Sequence, residues 1–69
     1  MINHTFEGKK PSKAQVIKQV NIMKEFNSLS FEISWGENYI TIERFNGKFT
    51  GYGWIKNISG SDIANTLNK

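Results

Sequence analysis

With 69 residues and 7.9 kDa, the chain has room for one domain with a small core, since only about 60% of the unfolded surface leaves water at this size. It holds no Cys, one His, and nine Lys+Arg against six Asp+Glu, which excludes disulfide stapling and a thiolate zinc site. Its apolar runs are only a few residues long, which excludes a membrane-spanning helix. The opening Met1-Ile2-Asn3-His4-Thr5 lacks the basic start and apolar stretch of a signal peptide, so the expected compartment is the cytoplasm.

Charge is unevenly placed. Residues 8–24 carry Lys9, Lys10, Lys13, Lys18 and Lys24 without an acid, a local charge of +5, while the remainder sums to −2. This asymmetry favours an anionic partner. Asn (8), Lys (8) and Ile (9) are abundant and Arg44 is the single Arg. That bias is the one associated with AT-rich genomes, including those of phages and mobile elements.

Residues 1–11, closing in Gly8-Lys9-Lys10-Pro11, read as a lead-in segment to a single domain over 12–69, with Thr5-Phe6 at most a short extended piece. Ser12, with Gln15 three residues on, forms the signature of a capping box. Val16, Val20, Met23 and Asn27, flanked by Ile17 and Phe26, follow the 3.6-residue period, which predicts an amphipathic helix over 13–27.

From Ser30 the period becomes two. Phe31, Ile33 and Trp35 alternate with Ser30, Glu32 and Ser34; Gly36-Glu37 suits a type II′ turn; Tyr39–Phe45 is β-branched and aromatic; Asn46-Gly47 is a strong hairpin signal; and Lys48–Ile55 supplies a third strand. Two-residue loops at both turns fix the register. The Asn46-Gly47 loop pairs Thr41 with Tyr52 and Tyr39 with Trp54, and the Gly36-Glu37 loop pairs Phe31 with Ile42 and Ile33 with Ile40. Both assign Phe31, Ile33, Trp35, Ile40, Ile42, Phe49 and Ile55 to one face, where Gly51 and Gly53 leave room for a helix. Glu32, Ser34, Tyr39, Thr41, Glu43, Lys48, Thr50, Tyr52, Trp54 and Lys56 fall on the other. Ser59 caps a closing helix, with Ile58 and Ile63 placed as a hydrophobic staple.

The expected fold is therefore α+β in the order α-β-β-β-α: a three-stranded antiparallel meander with both helices on the Phe31/Ile42 face. That order is similar to the double-stranded RNA-binding domain. The similarity lies in element order alone, because that family's Lys-Lys-x-Ala-Lys run has no counterpart in Ser59-Gly60-Ser61-Asp62-Ile63-Ala64-Asn65.

The uncovered face is the candidate site. Tyr39, Tyr52 and Trp54 lie together there with Thr41 between them, and Lys48 and Lys56 stand along the third strand. Aromatic side chains on an open sheet can stack on unpaired bases while ammoniums meet phosphates. The same residues can also anchor a protein partner, and cross-strand aromatic pairs stabilise a small sheet in their own right. Lys9, Lys10 and Lys13, at the entrance to the first helix, form a second candidate phosphate site.

Catalysis has little support. His4 is alone, and Glu32 and Glu43, a diagonal pair on the open face, have no cleft to shift their proton affinity. The sequence thus points to a non-enzymatic module with no cofactor or metal. Nucleic acid is the first expected partner. A protein partner, as for an inhibitor or regulator of a host enzyme, and homodimerisation through the open face are the alternatives.

Overall fold

The computed structural model describes residues 1–69. Seven elements follow one another: β1 (Ile2–Phe6), α1 (Lys13–Met23), β2 (Ser30–Trp35), β3 (Asn38–Phe45), β4 (Lys48–Ile55), β5 (Ile58–Ser59) and α2 (Gly60–Leu67). The strands form one mixed sheet in the order β1-β2-β3-β4-β5, with β1 parallel to β2 and every other pair antiparallel. This is an α+β domain whose central meander is the expected one, extended by a strand on each side.

Both hairpin registers match the turn chemistry. Gly36 (φ 60°) alone is left-handed in the first turn, whereas Asn46 (φ 51°) and Gly47 (φ 78°) both are in the second, as types II′ and I′ require. The pairs Phe31–Ile42, Ile33–Ile40, Tyr39–Trp54 and Thr41–Tyr52 follow. One sheet face then supplies Phe31, Ile33, Ile40, Ile42 and Ile55 to the core, and α1 adds Val16, Val20 and Met23 while α2 adds Ile63 and Ala64. Both helices therefore cover the same face.

The capping box at α1 forms in full: Gln15 N donates to Ser12 Oγ (3.2 Å) and Ser12 N donates to Gln15 Oε1 (2.8 Å). The helix ends at Met23 rather than at residue 27. Glu25 N and Phe26 N donate back to the carbonyls of Ile22 and Met23, a tightened last turn that breaks the α ladder. Arg44 Nη2 donates to the Lys24 carbonyl (2.7 Å), so the lone Arg caps this helix from within the fold. Its guanidinium also lies 5.5 Å from the Phe31 ring centroid and 5.3 Å from that of Phe49.

Three expectations need correcting. The first eleven residues are not simply a lead-in: Ile2–Phe6 pairs in register with Phe31–Trp35, which the helical connection through α1 makes possible. The element order is therefore not α-β-β-β-α, and the similarity in order to the double-stranded RNA-binding domain does not extend to the whole chain. The strand after the second turn runs Lys48–Ile55 as expected, but Lys56 does not lie along it: Lys56 (φ 55°) and Asn57 turn the chain into β5. Finally, only one of the two sheet glycines makes room for a helix. A Cβ on Gly51 would overlap the Gly60 carbonyl at the start of α2, whereas one on Gly53 (φ 90°) would strike the backbone of Tyr39 in the neighbouring strand.

The outer edge of β4 is closed by an amide mimic. Phe49 N donates to Asn68 Oδ1 and Asn68 Nδ2 donates to the Phe49 carbonyl, both at 2.8 Å, so one side chain supplies the donor and acceptor of a missing strand. We expect Gly51→Ala to lose about 1–3 kcal/mol in urea unfolding, the usual cost of overpacking a rigid contact. An unchanged midpoint would show that α2 does not seat on β4 at this point.

Candidate functional site

The face turned away from the helices is uncovered, and its side chains follow from the register. Tyr39 and Trp54 are direct cross-strand partners, and Tyr52 stands opposite Thr41. The three rings are 52%, 55% and 66% exposed. With Glu37, Asn38 and Gly53 they line an open concavity of ≈ 400 Å³. Thr41 is on this face as expected but only 3% exposed, so it offers little surface for a contact of its own.

The lysines distribute unevenly. Phe6 is in register with Trp35, Trp35 with Asn38, and Ile55 with Ile58, so the segment after β1, the Gly36-Glu37 turn and the Lys56-Asn57 turn gather at one end of the sheet. Trp35 Nε1 donates to the Gly8 carbonyl (2.8 Å) and Lys10 Nζ donates to Asn57 Oδ1 (2.9 Å). These two bonds hold the Gly8-Lys9-Lys10 segment across the sheet end where the Tyr39–Trp54 pair stands. Lys9, Lys10, Lys13 and Lys56 are all exposed. The expectation that Lys56 extends the strand beside Trp54 is replaced by a turn position at the same end.

Lys48 does not join this group. It pairs with Phe45 at the opposite end of β4, about 20 Å from Trp54 at ~3.3 Å of rise per residue. There it shares the open face with Phe45, which is 75% exposed.

Several contributors were missed from sequence. Phe45 belongs to the open face by the very pairing with Lys48 that the Asn46-Gly47 turn dictates. Asn57 is of a type favoured in turns, but its role as acceptor for Lys10 depends on the position of β1. Glu37 reads from the sequence as a turn residue, yet it lines the aromatic concavity.

Glu32 and Glu43 sit as the expected diagonal, opposite Thr41 and Ser30 respectively. No group of three or more His, Asp or Glu side chains is arranged to hold a metal ion, and no helix is long and apolar enough to cross a membrane. Comparison with protein-family models, with curated proteins and with solved structures finds no match to this chain.

Lys56 permits fold and site to be separated. Its left-handed backbone is a conformation glycine adopts freely. We expect Lys56→Gly to melt at or above the wild-type temperature while removing one ammonium from the site end. A lowered melting temperature would mean that the Lys56 side chain carries structural weight.

Proposed function

We propose that this chain is a non-enzymatic binding module that takes single-stranded nucleic acid on its open sheet face. The observation that carries the reading is the Lys10–Asn57 hydrogen bond, which joins the basic segment to the sheet end bearing the Tyr39–Trp54 pair. Bases stack on Tyr39, Tyr52 and Trp54, whose π-faces accept any base, while Lys9, Lys10, Lys13 and Lys56 meet the backbone phosphates. Lys48 and Phe45 offer a second contact farther along the same face.

With the single Arg occupied inside the fold by the Lys24 carbonyl and two rings, no guanidinium is free to read base edges. The module therefore binds with little sequence preference, by stacking and charge.

A second reading has its own observation. Glu37 lines the same concavity as the three rings, and a carboxylate beside aromatic faces suits a Lys or Arg side chain from a protein partner.

Titration of single- and double-stranded DNA and RNA at two salt concentrations, followed by Trp fluorescence, separates the two. Each Tyr or Trp to Ala change should cost about 1–3 kcal/mol of single-strand binding. Each of Lys9, Lys10 and Lys13 removed should lower the salt slope by roughly 0.7. Lys18→Ala should change little. Dissociation constants weaker than about 10⁻⁴ M for every nucleic acid at physiological salt would discard the first reading in favour of the protein partner.

A further inference from the structure

The two edges of the sheet are treated differently. The β4 side is closed by β5, by α2 and by the Asn68 amide on Phe49. The β1 side has no such cover. The hydrogen bonds outside the sheet and helix ladders are made by other segments, and none reaches the backbone of Ile2–Phe6. Every second residue of an edge strand turns its N–H and C=O outward. β1 also lacks the features that usually blunt an edge: Ile2-Asn3-His4-Thr5-Phe6 contains no Lys, acid, Pro or Gly.

The strand is moreover self-complementary. Ile2, His4 and Phe6 are half-buried on the helix-covered side, with the His4 and Phe6 rings in edge-to-face contact at 4.7 Å. Asn3 and Thr5 are exposed on the open side, where Thr5 Oγ1 hydrogen-bonds Ser34 Oγ at 2.9 Å. Antiparallel pairing with a second β1 about a two-fold axis at His4 sets Ile2 against Phe6, Asn3 against Thr5, and His4 against its own copy. Ile2 and Phe6 then meet on one face on either side of a His4–His4 pair, and polar meets polar on the other.

We infer that the free β1 edge is a homodimer interface, joining two copies of this chain into one continuous ten-stranded sheet. The axis lies perpendicular to the sheet, so both open faces look the same way and both helical layers lie on the other side. The inference stands apart from the identity of the ligand on the open face. A five-residue strand pair is a small interface, so the dimer forms with increasing concentration rather than being permanent.

The absence of Cys from the chain makes the register directly testable in the full-length protein. Directly opposed Cβ atoms in an antiparallel pair are about 4.5–5.5 Å apart, close enough for oxidation to link them. His4→Cys should cross-link between chains, whereas Asn3→Cys alone and Thr5→Cys alone should not. An equimolar mixture of Asn3→Cys and Thr5→Cys, both at exposed positions, should cross-link and covers the case in which His4→Cys fails to fold. Sedimentation equilibrium should show a mass rising toward twice 7.9 kDa with concentration. Combining Asn3→Lys with Thr5→Lys, which opposes like charges, should return it to the single-chain value. A single-chain mass at every concentration overturns the proposal, as does cross-linking of Asn3→Cys with itself as fast as His4→Cys. A wild-type monomer that pairs only with a strand from another protein overturns it equally.

Discussion

The interaction on which the rest of the structure depends is the packing of two helices onto a single face of the sheet. A chain of this length has apolar side chains for one core layer, and eleven buried residues make it up. Because the side-chain period of a strand is two, a shift of one residue in either hairpin would carry Ile40, Ile42 and Phe31 to the wrong side. The Gly36-Glu37 and Asn46-Gly47 turns hold that register, and the close seating of Gly60 against Gly51 and Tyr52 locks α2 over β4. The sheet face that the helices do not cover leaves four aromatic side chains exposed, those of Tyr39, Phe45, Tyr52 and Trp54.

On the proposed function, this one-sidedness separates structural from recognition roles. Arg44, the residue best suited by chemistry to clamp a phosphate, is taken up by the end of α1 and by the Phe31 and Phe49 rings. Its Nε is buried without a hydrogen-bond partner, a cost consistent with a side chain held for packing. The lysines, with flexible stems and compact charges, remain at the surface, where they can follow a phosphate backbone without fixed geometry. Tyr39, Tyr52 and Trp54 are held by their strands yet more than half exposed, which would lower the ordering cost of the proposed binding.

Most of the meander was legible in the sequence because its information is local. Each turn spans two residues of distinctive chemistry, and the strand pattern on either side agrees with it. What was hidden is non-local or lacks a signal. β1 pairs with a strand that starts 24 residues after it ends, and its alternation is blurred by His4 on the covered side. The Lys56-Asn57 turn contains no Gly, so the left-handed position falls on Lys without warning. α1 is shorter than its apolar period because the return to β2 and the Arg44–Lys24 contact end it, and both depend on the completed sheet. The aromatic trio was readable from register alone. The burial of Thr41, the separation of Lys48 and the arrival of Lys10 beside Asn57 required the assembled fold.

The central claim is that the open face and the basic segment act as one surface. Amide chemical-shift mapping of the full chain during titration with a short single-stranded oligonucleotide tests it most directly. The account predicts shifts that converge on Tyr39, Tyr52, Trp54, Lys56 and the Gly8–Lys13 segment, together with the Trp54 indole, and leave the exposed side of α1 beyond that segment, at Lys18 and Ile22, unchanged. Shifts confined to α1 or α2, or to the lysines without the aromatic strands, would contradict it.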